Sequence, residues 1–206
     1  DICVSGSQKG FMMPAGLAIV CVSQKALAAR KAAGLRRAYF DFEDMIKTND
    51  HGYFPYTPAT QLLRGLRASL DLLLAEGLDN VFARHNRHGE ATRRALAAWG
   101  LENLILDDRH FSPVLTAVVM PEGHNADTFR KIALDHFDIS LGTGLSKVAG
   151  RVFRIGHLGD INDLTLVGTL GGIEMTLGIA KVPHKAGGVA AAMQYLAQTA
   201  KPFPPA

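Results

Sequence analysis

The sequence predicts an α/β fold in two parts that meet near residue 77. Residues 2–4 and 17–22 are short apolar runs rich in β-branched side chains, which is typical of buried strands. Between residues 62 and 73, leucines recur at helical spacing. After Gly100, strand-like and helix-like segments alternate, and this order indicates a compact α+β domain.

The composition is that of an ordinary globular protein. Of the 206 residues, 48% are hydrophobic and 20% are charged. One large domain or two modest ones can therefore form a hydrophobic core without disulfide bonds or structural metal ions. The net charge of +3 is spread along the chain, and its densest basic stretch, residues 84–94, has the spacing of a helix with a solvated face. Because no aromatic or glycine-rich nucleic-acid module accompanies that stretch, we expect no nucleic-acid partner.

The cysteines and the apolar stretches bear on the compartment. Cys3 and Cys21 both lie within apolar runs, which predicts buried, reduced thiols. The longest apolar stretch, residues 11–22, contains Pro14 and is too short to span a bilayer. Since no secretory signal is visible, we expect no membrane contact and an intracellular, cytoplasmic protein, with an organelle left open.

Two helices are predicted in the first part. Residues 24–34 have high helix propensity and are closed by Gly34, after which residues 38–40 are expected to be extended. The second helix is expected to begin at Thr57-Pro58, because threonine is a good N-cap and proline suits the first helical position. Gly77 interrupts it.

The second part opens with a predicted helix at residues 79–99, closed by Gly100. The same rules predict further elements, with strands at 114–120, 139–141 and 152–157 and helices at 126–136, 163–180 and 187–199. Gly142-Thr143-Gly144 is expected to form a turn, and Gly168–Gly172 to lie in a closely packed helix. The Pro-rich residues 201–206 are expected to fray.

Lys9 is the first candidate for chemistry. It lies between two predicted buried strands, where an ammonium group costs free energy unless it is paired or modified. Burial lowers the pKa of a lysine amine, and a neutral amine attacks an aldehyde to form a Schiff base. The small neighbours Ser7 and Gly10 leave room for a flat ring. A solvent-facing lysine at a strand–strand turn satisfies the same pattern.

Thr57 and Arg154 are candidates for binding anions. The amides at a helix N-terminus suit a phosphate, and the Thr57 hydroxyl adds one more donor, although these residues alone favour a plain N-cap. Arg154 interrupts the apolar run of residues 152–156, and arginine binds a carboxylate through two parallel hydrogen bonds. An arginine on the exposed face of a strand is the alternative. For His85 and His88, three apart on a helix, we expect no metal site, since no third ligand lies nearby in the sequence.

In order, these sites lie in four segments that resemble the class V (fold type I) aminotransferases dependent on pyridoxal 5'-phosphate (PLP), in the serine–glyoxylate and alanine–glyoxylate branch. The segments are Ser5-Gly-Ser-Gln-Lys-Gly-Phe-Met-Met-Pro-Ala-Gly-Leu17, Gly52-Tyr-Phe-Pro-Tyr-Thr-Pro-Ala59, Glu76-Gly-Leu-Asp-Asn-Val-Phe-Ala-Arg-His85 and Arg154-Ile-Gly-His-Leu-Gly159. The likeness covers nearly the whole chain. It implies the end of the large α/β domain at residues 1–77 and a small α+β domain at 78–206.

The resemblance also implies roles for four residues. Lys9 looks like the lysine that binds the cofactor covalently and then moves the substrate proton, and Gln8 like a neighbour lining the pocket. Thr57 looks like a phosphate ligand donated across a homodimer interface, and Arg154 like the clamp for the substrate carboxylate. Phe54 stands where some members have a tyrosine, which leaves open the hydroxyl that assists Thr57.

Members of that family are about twice as long as this chain, which implies an accompanying N-terminal half that completes the site. The expected reaction is transamination between serine, alanine or aspartate and a small 2-oxo acid such as glyoxylate. Two alternatives remain. One is another PLP reaction such as desulfuration, which needs a mobile nucleophilic cysteine that Cys3 and Cys21 do not resemble. The other is a non-catalytic, dimerising fragment without a complete cofactor site.

Overall fold

A computed structural model describes residues 1–200, which divide into a unit of residues 1–75 and a second unit that begins at Glu76. The expected fraying of residues 201–206 lies outside the described range. The first unit contains two strands and three helices: β1 (Ile2–Gly6), β2 (Ala18–Val22), α1 (Gln24–Arg30), α2 (Phe42–Asn49) and α3 (Thr60–Glu76). Within residues 1–200, no helix combines the length and apolarity needed to cross a membrane.

Strands β1 and β2 form an antiparallel hairpin in which Cys3 lies opposite Cys21. Both cysteines are exposed, so the prediction of buried thiols is wrong for this structure. Ile2 and Val4 are also exposed, although their run predicted a buried strand. The reason is that these two strands pair only with each other among the described residues, which leaves their side chains without a covering layer.

Helix α1 ends at Arg30, four residues before the predicted end at Gly34. The guanidinium of Arg37 explains the early end, because it donates hydrogen bonds to the carbonyls of Arg30 (3.2 Å) and Ala33 (3.3 Å) after the chain has turned back. Residues 38–40 are not a strand, which corrects the expected extended piece.

Helix α2 was not predicted from the sequence. Its N-cap is Asp41, whose carboxylate accepts a hydrogen bond from the amide of Glu43 (3.0 Å). The same carboxylate forms an ion pair with Arg30 (2.7 Å), which connects α2 to the end of α1. An acidic N-cap followed by acidic residues in the first turn is a known signal for the start of a helix. The sequence therefore contained enough information to predict α2.

Helix α3 begins at Thr60, which corrects the predicted start at Thr57-Pro58. The first helical hydrogen bond is accepted by the carbonyl of Ala59 from Leu63 (3.0 Å). A residue before proline is pushed towards extended backbone, and this restriction keeps Thr57 out of the helix. At Gly77 the backbone has φ +82°, and the next helix starts there.

The second unit has a four-stranded antiparallel sheet in the order β3-β4-β6-β5. Most of the predicted elements are confirmed within two residues, but residues 139–141 are not a strand. The elements are α4 (Leu78–Trp99), β3 (Glu102–Asn103), β4 (Leu115–Val119), α5 (Ala126–Phe137), β5 (Gly142–Thr143), β6 (Val152–Gly156), α6 (Asp163–Ile179) and α7 (Gly188–Gln198).

The core of this unit lies between the sheet and the helices α4 to α7. Its largest fully buried side chains include Trp99 and Phe153, and the rings of Phe153 and Phe129 are 4.7 Å apart. Two glycines permit close packing, since a Cβ at Gly172 would collide with Ile139 and one at Gly188 with Trp99. The predicted close packing in the Gly168–Gly172 segment is therefore confirmed at Gly172.

His157 lies in this core, directly after β6. It is fully buried, and its Nε2 is 3.1 Å from the hydroxyl of Thr116. Burial lowers the pKa of His157 to about 4. The unfolded chain, with a histidine pKa of about 6.5, therefore binds a proton that the folded chain does not, so stability is complete above pH 6.5 and falls as the pH drops towards 4.

We expect this histidine alone to lower the free energy of unfolding by about 2 kcal/mol between pH 7 and pH 5. The variant His157→Gln should lose that part of the pH dependence in urea unfolding followed by circular dichroism. His136→Gln, at an exposed position, is the matched control and should keep the wild-type slope. Equal slopes for His157→Gln and the wild type would show that His157 is protonated to the same degree in both states.

Candidate active site

The buried side chain of Ser7 holds the loop that carries Lys9. Its hydroxyl donates a hydrogen bond to the carbonyl of Pro14 (2.7 Å) and accepts one from the amide of Leu17 (3.2 Å). The Ser7 amide donates to the Leu17 carbonyl (3.1 Å), and the amide of Met13 donates to the Ser7 carbonyl (3.2 Å). These four bonds fix the loop at both ends, and the sequence had marked Ser7 only as a small neighbour.

Lys9 lies two residues beyond Ser7, with an exposed side chain. The amide of Met12 donates to the Lys9 carbonyl (2.9 Å), which closes a tight turn. The lysines that form ion pairs within residues 1–200 are Lys25 and Lys131, so no carboxylate among these residues holds the Lys9 amine. The expected burial of Lys9 is therefore wrong for this chain, and its amine lies exposed on a loop that hydrogen bonds hold in place.

Gln8 is exposed beside Lys9, and its side-chain amide folds back towards Gly6. A Cβ at Gly6 would meet the Gln8 side-chain oxygen, so the glycine leaves room for this conformation. The structure therefore places Gln8 and Lys9 on one turn.

Helix α3 supports the same loop from the other side. The hydroxyl of Ser69, a buried residue, donates a hydrogen bond to the carbonyl of Phe11 (2.5 Å). The Met13 side chain lies against Gly65, where a Cβ would be only 3.1 Å from its terminal carbon. The sequence gave no indication of Ser69, because its partner is a backbone atom 58 residues away.

Thr57 is exposed and precedes α3 by three residues. The cap position predicted for it is occupied by Ala59, as the helix start shows. The Thr57 hydroxyl is therefore not used as a helix cap, and it remains available to a ligand.

Arg154 lies in the second unit, in the middle of β6, and its side chain is half-buried. Its Nε donates a hydrogen bond to the carbonyl of Thr143 (2.8 Å). Within residues 1–200 the two terminal nitrogens of this guanidinium make no hydrogen bond. The segment Gly142–Thr143, expected to be a turn, is strand β5 and pairs with β6 beside Arg154, so this prediction is wrong.

The chain is similar over nearly its whole length to known aminotransferases. It is 53% identical over 203 residues to a serine–glyoxylate aminotransferase of Hyphomicrobium methylovorum, covering 97% of this chain and 50% of the relative. It is 45% identical to an L-aspartate–glyoxylate aminotransferase of Paracoccus denitrificans, covering 97% and 50%. No protein-family model matches the chain.

A solved structure shows the same fold. The pyridoxamine–pyruvate aminotransferase of Mesorhizobium loti superposes with a TM-score of 0.91 at 30% identity, covering 97% of this chain and 52% of that one. The chain belongs to the class V PLP-dependent aminotransferases. It spans about half the length of the curated relatives it matches, several of which are serine–glyoxylate aminotransferases, and it corresponds to their C-terminal half.

PLP dependence follows from membership of this family, and the residues of the first unit fit that cofactor. Lys9 offers an exposed primary amine without an ion-pair partner within residues 1–200, and a primary amine is the kind of group that can react with an aldehyde. Thr57 offers a hydroxyl that no helix cap uses, which is a suitable donor to the phosphate.

Proposed function

We propose that this chain forms the C-terminal half of an enzyme that transfers an amino group from serine, alanine or aspartate to a small 2-oxo acid such as glyoxylate. The observation that carries the proposal is the exposed Lys9 amine, which has no ion-pair partner within residues 1–200, on a loop held by Ser7 and Ser69. The names of the relatives support the reaction type and the acceptor. We call this chain together with the N-terminal half that its relatives carry the assembled enzyme.

In this proposal, PLP supplies the aldehyde that binds the amino group and an electron sink for the reaction. With PLP bound, Lys9 Nζ would hold the cofactor and would act as the base and acid that moves a proton from the substrate Cα to the cofactor carbon. Gln8 lines the pocket beside it. The Thr57 hydroxyl binds the cofactor phosphate of the partner subunit, and Arg154 binds the substrate carboxylate.

The proposal also assigns a role to each of the two domains. Residues 1–77 form the end of the large cofactor-binding domain, and residues 78–206 form the small domain, which provides Arg154. The N-terminal half supplies the rest of the cofactor site. The β1–β2 hairpin supports this arrangement. Its apolar side chains are exposed in this chain, as expected for a surface that the N-terminal half covers.

A homodimer with the active site at its interface is also part of the proposal. Five large aromatic side chains between α1 and α3 are exposed, and two of them, Tyr39 and Tyr56, stack at 4.8 Å. Exposed aromatic side chains that lie together are typical of a surface covered by a partner. The five side chains are Tyr39, Phe40, Tyr53, Phe54 and Tyr56.

The experiment is an amino-transfer assay of the assembled enzyme with serine and glyoxylate, following the formation of glycine. We expect turnover that depends on added PLP in the assembled enzyme, and none in this chain alone. Alanine and aspartate as donors then define the specificity. The non-catalytic alternative requires that even the assembled enzyme neither retains the cofactor nor forms glycine.

A further inference from the structure

The guanidinium of Arg154 lies across the two-residue strand β5. Gly142 is paired with Arg154 and Thr143 with Phe153 in the antiparallel register. A Cβ at Gly142 would be 3.0 Å from the Cβ of Arg154 and 3.1 Å from its Nε. Any side chain at this position would therefore require the Arg154 side chain to shift by a few tenths of an ångström.

Strand β5 is in turn anchored to helix α5. The hydroxyl of Thr143 donates a hydrogen bond to a carboxylate oxygen of Asp127 (2.9 Å), and a terminal nitrogen of Arg130 donates to the same oxygen (2.9 Å). The Nε of Arg130 donates to the carbonyl of Leu141 (2.7 Å). These bonds fix the backbone just before and within β5.

The contact with Thr143 also determines which edge of the Arg154 guanidinium is free. An arginine binds a carboxylate in a bidentate manner either through Nε and one terminal nitrogen or through both terminal nitrogens. The Nε of Arg154 is already bonded to the Thr143 carbonyl, so the end with the two terminal nitrogens remains.

We propose that Gly142 and Thr143 are positioning residues for the substrate carboxylate. They hold the plane of Arg154 so that its two terminal nitrogens face a carboxylate end-on, with Asp127 as the anchor of Thr143. This inference rests on the role of Arg154 given under the proposed function.

The first test is Gly142→Ala in the assembled enzyme. Because the amino donor and the 2-oxo acid both present a carboxylate next to the reacting carbon, KM for both should rise roughly tenfold, with a smaller change in kcat. The inhibition constant of propanoate, a carboxylate without a reacting group, should rise by a similar factor. A merely structural loss would lower the active fraction, and so kcat, without moving either constant.

Thr143 gives a matched pair in case Gly142→Ala fails to fold. Thr143→Val removes the hydroxyl that binds Asp127 and should raise both KM values severalfold, whereas Thr143→Ser keeps the hydroxyl and should stay close to wild type. Asp135→Asn is the control on α5, since it breaks only an exposed ion pair with Lys131.

The variant Arg154→Ala distinguishes the positioning role of Gly142 and Thr143 from the carboxylate-binding role of Arg154. If it raises KM and the propanoate inhibition constant while Gly142→Ala and Thr143→Val leave both unchanged, the positioning role is overturned and the clamp stands. If Arg154→Ala itself leaves both unchanged, Arg154 is not the clamp, and both proposals about it fail. We expect Gly142→Ala and Thr143→Val to raise KM and the propanoate inhibition constant, and Thr143→Ser to leave both close to the wild-type values.

Discussion

Replacing Lys9 with alanine should reduce amino transfer by the assembled enzyme by on the order of ten-thousand-fold, because one amine both holds the cofactor and moves the substrate proton. The loop should keep its shape, since its hydrogen bonds involve Ser7, Ser69 and backbone atoms rather than the Lys9 side chain. A turnover assay with saturating PLP measures the loss.

Lys25→Ala is the matched control in the same unit. The Lys25 side chain is 82% exposed and pairs with Asp1 at the surface, an interaction of small energetic value. This variant should retain wild-type turnover. Added methylamine, a small free base, should restore part of the activity of Lys9→Ala, because it can take over proton transfer. Normal turnover by Lys9→Ala would remove Lys9 from the mechanism.

Replacing Arg154 with alanine should lower kcat/KM by on the order of a hundredfold, which corresponds to about 3 kcal/mol. The loss should appear mainly in KM, because the arginine binds a carboxylate that is present in the substrate as well as in the transition state. Steady-state kinetics with donor and acceptor varied in turn measures it.

Arg154→Lys provides the comparison for this effect. It keeps the positive charge but loses the planar pair of donors, so it should recover only part of the affinity. The absorbance of the bound cofactor should stay unchanged in both variants, which shows that the first unit is intact. Unchanged KM values in Arg154→Ala would contradict the clamp.

The sequence predicted the second unit more accurately than the first for a physical reason. Residues 79–99 and 152–157 have their own covering layers within this chain, so periodicity and burial agree. The runs around Cys3 and Cys21 have no covering layer among the described residues, and apolar composition alone predicted the wrong environment.

Local rules also failed where backbone atoms carry the interactions. Thr57 resembles an N-cap, but the proline after it favours extended backbone, and α3 starts later. Gly142–Thr143 resembles a turn, yet it is the strand whose carbonyl binds Arg154. Every residue has a backbone carbonyl, so the amino-acid sequence does not show which carbonyl accepts the hydrogen bond from Arg154. The candidates Lys9, Gln8, Thr57 and Arg154 themselves came from the sequence.

The central claim is that Lys9 carries PLP in an enzyme completed by an N-terminal half. Borohydride reduction of the assembled enzyme, followed by intact and peptide mass spectrometry, tests it most directly. We expect a pyridoxyl adduct on the peptide that contains Lys9, in stoichiometric amount. An adduct on another lysine, or an unmodified Lys9 peptide after incubation with PLP, would contradict the claim.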